Sequence, residues 1–119
     1  MTTERRSYPR VADDKISLRL KVDQCDTITH TLNISASGVY CKVANELPLM
    51  SRVKIVMMLP DQSSAQESVK AIEITGVVVR EHPVIINGEI KHYDVAIFFD
   101  GLTQKDKEII TQYVTHRLT

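Results

Sequence analysis

Three arginines, Arg5, Arg6 and Arg10, stand within six residues near the start of the sequence, and Asn33, Ser35 and Gly38 form a second polar cluster about twenty residues further on. A guanidinium is planar, permanently charged and holds its N–H donors in a fixed fork. It suits phosphate oxygens and the O6/N7 edge of guanine, and its face stacks on a base. Asn33 and Ser35 add short donors and acceptors, and Gly38 adds backbone freedom beside them. The two clusters together describe recognition of an anion that also carries base edges. Nothing expected of a catalyst accompanies them. The carboxylates are scattered, no Ser or Cys has a histidine placed by motif, and no Gly-rich phosphate loop of the P-loop kind is present. The expected activity is binding, not catalysis.

The elements that must position these residues read as strands. From Lys15 to Asp23 the sequence alternates without a break, placing Ile16, Leu18, Leu20 and Val22 on one face and charged or hydroxyl side chains on the other. The run from Thr27 to Ile34 repeats the pattern, with Ile28, His30, Leu32 and Ile34 in the core phase and Asn33 facing away. His30 is therefore expected as a core imidazole. Alternation resumes at Val39, Cys41 and Val43, so the Ser35–Gly38 segment joins two strands through a tight turn or bulge, where glycine would relieve positive φ. Further strands are expected over Arg52–Leu59, Val69–Arg80 and Tyr93–Phe99. Gly76 suggests a bulge, and Pro83 with Asn87-Gly88 suggests a turn. The nearly continuous apolar run from Tyr93 predicts a strand covered on both faces. Thr103 with Asp106 forms a capping pair ahead of Ile109, Ile110, Tyr113, Val114 and Leu118, which recur at helical spacing.

Six strands and one amphipathic C-terminal helix predict a mainly β fold, a six-stranded antiparallel barrel or rolled sheet with the helix over an open end or edge. Residues 1–14 lack apolar periodicity and read as a flexible N-terminal arm, and 15–119 as the barrel and its helix, one domain overall. The start of the first strand should lie beside the end of the second if they pair antiparallel, bringing the arginines and the Asn/Ser/Gly turn to the same rim.

Fifteen basic and fifteen acidic side chains cancel, so the overall field that draws long nucleic acid is missing, and a single-strand binder would also need more aromatics than two Phe and four Tyr. The N-terminus has no apolar run behind its charges, and no segment approaches the roughly 20 apolar residues of a membrane span. A cytoplasmic protein without membrane insertion is expected. Cys25 and Cys41, with fifteen residues between them, fit neither a metal knuckle nor a redox pair, and the four histidines show no ligand motif, so reduced thiols and no metal are expected.

Arg6 and Arg10 with three residues between them, followed by Asn33-Ile-Ser35-Ala-Ser-Gly38, resemble the paired R-x-x-x-R and [D/N]-x-S-x-x-G elements of the PilZ domain, a bacterial receptor module for cyclic di-GMP. Gly76-Val-Val-Val-Arg80 and the Tyr93 strand ending Phe98-Phe99 before a helix extend the likeness over nearly the whole chain. Tyr93-Asp94-Val95-Ala96-Ile97 departs from it, since the family often carries glycines there. The resemblance implies a PilZ-like barrel whose ligand is cyclic di-GMP. Arg6 and Arg10 would hold its phosphates and guanine edges, Asn33 and Ser35 would bond a guanine, and Gly38 would permit the turn. Arg5, immediately before the motif, would stack on guanine and favour an intercalated ligand dimer, two nucleotides per chain. The arm would order on ligand binding and signal to an unidentified downstream protein. A PilZ-fold adaptor that ignores nucleotide is the alternative.

Overall fold

The computed structural model describes residues 10–23, 25–60 and 68–118; Arg5, Arg6 and the polar loop over 61–67 lie outside them. Among the described residues the alternating segments become β1 (Arg10–Ala12), β2 (Ser17–Val22), β3 (Cys25–Ser35), β4 (Gly38–Val43), β5 (Arg52–Pro60), β6 (Val69–Ile86) and β7 (Glu89–Gly101), followed by α1 (Gln104–Leu118). Neighbours run β3, β2, β5, β6, β7, β4, and a further β3–β4 pairing closes the six into an antiparallel barrel. Closure removes most of the exposed edge that an open sheet would present. β1 is an addition within the segment read as the arm. It pairs with the Asn33–Ser35 end of β3, in line with β2, which pairs with Cys25–His30 of the same strand.

One face of each strand fills the barrel: Ile16, Leu18 and Leu20 from the β2 segment, Ile34 from β3, Val39 and Cys41 from β4, Ile55, Met57 and Leu59 from β5, and Val95 and Ile97 from β7 are all buried. Ile110, Tyr113 and Val114 add the apolar stripe of α1, which packs on β1 and β3. Thr103 Oγ1 accepts the Asp106 N–H at 3.1 Å, the cap expected at the helix start. No helix among the described residues is long and apolar enough to cross a membrane.

Three readings of phase and turn need correction. Thr31 is fully buried, whereas His30 is exposed and Ile28 is 77% exposed. The β3–β4 register shifts between Thr31 and Asn33, so Leu32 is an extra residue, and everything before it sits on the opposite face from the phase set by Ile34. Thr31 tolerates burial because its hydroxyl donates to the Asp13 carbonyl and its N–H to Ile16 O at 3.0 Å. Pro83 does not turn the chain. It lies in β6 opposite Tyr93, on the stretch beyond the β5 pairing where β6 has an open edge and no partner needs its missing N–H. The hairpin turns at Asn87 and Gly88, with φ of 55° and 80°, the positive pair of a type I′ turn. β7, finally, is covered on one face only: Val95, Ile97 and Phe99 point inward while Phe98 is half exposed.

Candidate functional site

Antiparallel register sets Arg10 opposite Ser35, Val11 opposite Ile34 and Ala12 opposite Asn33. Since side chains alternate, Val11 and Ile34 point to the core, and Arg10, Asn33 and Ser35 share the outer face. Arg10 Nη1 donates to Asn33 Oδ1, and Nη2 donates to Ser35 Oγ at 3.2 Å. Asn33 and Ser35 are neutral, and these two contacts orient the guanidinium fork. Arginine has no acceptor, so Asn33 turns its Oδ1 to Arg10 and its amide donors elsewhere. Ser35 is fully buried. Its Oγ also accepts the Ser37 N–H at 3.1 Å and lies 2.8 Å from Ser37 Oγ, a local bond that fixes the turn into β4.

Gly38 stands where the sequence places it but for a different reason. Its φ lies outside the left-handed region; among the described residues only Gly88 is a glycine with positive φ. A Cβ on Gly38 would sit 2.4 Å from the carbonyl oxygen of Ile97. Backbone of β4 and β7 approach too closely there for any side chain, and Phe99 N–H donates to Ser37 O at 2.9 Å beside the contact.

The barrel registers extend this cluster into two outward rows. One runs Arg10, Ser35, Gly38, Phe98, Val77; the next runs Ala12, Asn33, Tyr40, Ala96, Arg80. Phe98 is 50% exposed, Tyr40 is half-buried and Arg80 is exposed, with no ion pair among the described residues. Phe98 and Tyr40 are additions to the expected site residues; Phe98 entered the likeness only as the end of the Tyr93 strand. Strict alternation against Val95, Ile97 and Phe99 is the signal that would have found Phe98. A guanidinium fork on the same outer face as Phe98 and Tyr40 offers donors for phosphate oxygens and flat apolar surface for the faces of bases. Arg5 and Arg6, the other two arginines expected at the site, fall outside the described residues. A groove of about 620 Å³ on β2, β3, β5 and β6, lined by Arg19, Lys21, Asp26, Lys54 and Glu73, includes none of the site residues. Within it Asp26 is bonded by Arg19, which lowers the carboxyl pKa and raises that of the guanidinium.

Cys41 lies inside the barrel, its thiol pushed up to about 12 by burial and secondarily by Asp94. Among the described residues no three His, Cys, Asp or Glu side chains are grouped to hold a metal.

The chain is similar in structure to the Bacillus subtilis inhibitor of motility MotI/DgrA, with a TM-score of 0.82 and 19% identity over 98% of this chain and 52% of that one. It is similar to K. pneumonia MrkH both in complex with c-di-GMP, with a TM-score of 0.72 and 18% identity over 98% and 53% of the two chains, and in the apo state, with 0.74 and 16% over 99% and 52%. This chain thus spans about half the length of the proteins it matches, and at these identities the likeness establishes the fold. No relative matches among curated protein sequences. The family model of the PilZ domain matches residues 4–116, which contain both polar clusters, the closed barrel and nearly all of α1, and the chain belongs to the PilZ domain family.

Proposed function

We propose that this chain is a receptor for cyclic di-GMP that binds the ligand on the outer face of the barrel, over Arg10, Asn33 and Ser35. PilZ domains are typically non-catalytic cyclic di-GMP-binding modules, which sets the ligand class. The observation that carries the reading for this chain is the Arg10 guanidinium held by Asn33 and Ser35 across the β1–β3 pairing. Preorganisation of this kind lowers the entropy lost when a phosphate docks. Arg10 takes phosphate oxygens and a guanine edge together with Arg6, the Asn33 amide donors face the guanine O6/N7 edge, and Phe98 and Tyr40 supply apolar surface beside the bases.

On a sheet face this site has one wall. The segment carrying Arg5 and Arg6 enters directly into β1, so in this proposal it supplies the second wall, closing over the bound nucleotide. Arg5 stacks on guanine and admits a second nucleotide, so that two ligands bind per chain as an intercalated pair. The closed arm and the ligand then present a composite surface to a downstream protein. Binding energy for the arm arises only with ligand present, which couples ordering to the signal.

Calorimetric titration with cyclic di-GMP, GTP and a short single-stranded oligonucleotide tests the proposal. Saturable binding of cyclic di-GMP alone supports it. Binding of the oligonucleotide alone, or of nothing, overturns it; the second result favours a nucleotide-independent adaptor.

A further inference from the structure

We propose that Asp13 is a positioning residue that ties the docking of the C-terminal helix to the placement of Arg10; the inference rests on the cyclic di-GMP reading for its functional consequence, not for its geometry. β1 is three residues long and stands at the end of the strand order, paired to β3 alone among the described strands. A strand this short does not hold its place by ladder bonds alone. The residue that follows it is engaged at every polar group. Asp13 N–H donates to Leu32 O at 3.1 Å, its carbonyl accepts Thr31 Oγ1, Oδ1 accepts Lys15 N–H at 2.8 Å, and Oδ2 accepts Tyr113 Oη and lies 3.3 Å from Arg117 Nε.

The Asp13 side chain is 1% exposed. A carboxylate so deeply covered persists only with donors around it, and two of them come from α1, about a hundred residues away in sequence. Asp13 also occupies the break where the chain leaves β1 and steps along β3 to β2, beside the extra residue Leu32. The helix therefore holds the chain at the junction three residues after Arg10, and through it the fork that rests on Asn33 and Ser35. Coupling of this kind is reciprocal: a ligand that fixes Arg10 also tightens α1.

Hydrogen exchange and calorimetry on the full chain test this with Tyr113→Phe, Arg117→Ala and Arg117→Lys. Arg117 is partly exposed, so its variants keep the test available if Tyr113→Phe or a substitution at Asp13 unfolds the protein. Without ligand, Arg117→Ala should speed exchange in β1 and α1 while β5 and β6 keep their protection. Its cyclic di-GMP affinity should fall about threefold to tenfold, as the competent placement of β1 becomes less populated, and Arg117→Lys should recover most of that loss. In the unaltered protein, cyclic di-GMP should slow exchange in α1. The proposal is overturned if β1 exchange in Arg117→Ala is unchanged, if every strand loosens equally, or if affinity holds while α1 loosens. Should the unaltered protein not bind cyclic di-GMP, the receptor reading fails, and the ligand-free exchange of β1 still decides whether Asp13 positions it.

Discussion

Replacing Gly38 with alanine tests the close approach of β4 and β7 beneath the candidate site. A Cβ at this position would lie 2.4 Å from Ile97 O, about 1 Å short of ordinary van der Waals contact, and the obstacle is backbone that cannot rotate away. Strands normally sit about 4.8 Å apart, so a 1 Å spread lengthens the neighbouring ladder bonds, including Phe99 N–H to Ser37 O, beyond useful range. Overpacking of this kind costs about 1–3 kcal/mol, and a weakened backbone bond adds about 1 kcal/mol. For a domain of this size, a loss of about 2–4 kcal/mol lowers the melting temperature by roughly 8–20 °C. Thermal unfolding followed by circular dichroism measures it, with Gly88→Ala as the control. Gly88 has φ of +80° and nothing within 4 Å, so alanine there meets backbone strain alone, about 1 kcal/mol. If Gly38→Ala melts within about 2 °C of the unaltered protein, or less severely affects it than Gly88→Ala does, the close-approach argument is wrong.

Arg10→Ala removes a fork with two side-chain anchors and should weaken cyclic di-GMP binding about tenfold to a hundredfold by calorimetry; unchanged affinity would refute the site. Arg5→Leu should halve the number of nucleotides bound per chain, and a stoichiometry of one in the unaltered protein would contradict the paired-ligand proposal. In a Cys25→Ser background, Cys41 should react with a thiol reagent at pH 8 far more slowly when folded than when unfolded, because its side chain is fully buried and burial raises its pKa from 9.0 to about 12. Burial, then the hydrogen bond to Asp13, likewise raises the Tyr113 pKa. Both groups are raised in the folded state, so the stability linked to their protonated forms is intact below about pH 9 and is lost as pH rises through the folded values; urea midpoints should fall across pH 9–12 and stay flat below it with respect to these groups. Thr103→Ala removes the α1 cap and should cost about 1 kcal/mol, a drop of roughly 3–6 °C in melting temperature; no change would show that the first turn does not depend on it.

Local rules account for most of the elements. Alternation over Ile16–Val22, Val39–Val43 and Val53–Leu59 marked the core faces because a strand buries every second side chain whatever its neighbours are. Asn87-Gly88 and the Thr103 cap were legible because their chemistry is completed within four residues. The meeting of Arg10 with the Asn33–Ser35 end of β3 also followed from sequence, since antiparallel neighbours return the chain to the rim it left. The outward phase of Asn33 was read correctly from Ile34 onward. It failed upstream because the extra residue at Leu32 depends on β3 serving β4 on one edge and β1 and β2 in line on the other, and no window of β3 contains those partners.

The amino-acid sequence alone determined the types and order of the recognising groups, the strand periodicities and the helix, because these depend on side-chain chemistry and on contacts a few residues apart. Tertiary structure decided what no local pattern carries. It assigned Gly38 to a close approach of two backbones rather than to a turn conformation, exposed Phe98 opposite Gly38, and buried Thr31 in place of His30. It also joined Asp13 to Tyr113 and Arg117 across a hundred residues. The physical reason is common to all of these: each is a contact between strands or between strand and helix, set by barrel closure and by how near two backbones come, and such distances exist only once the whole chain is folded.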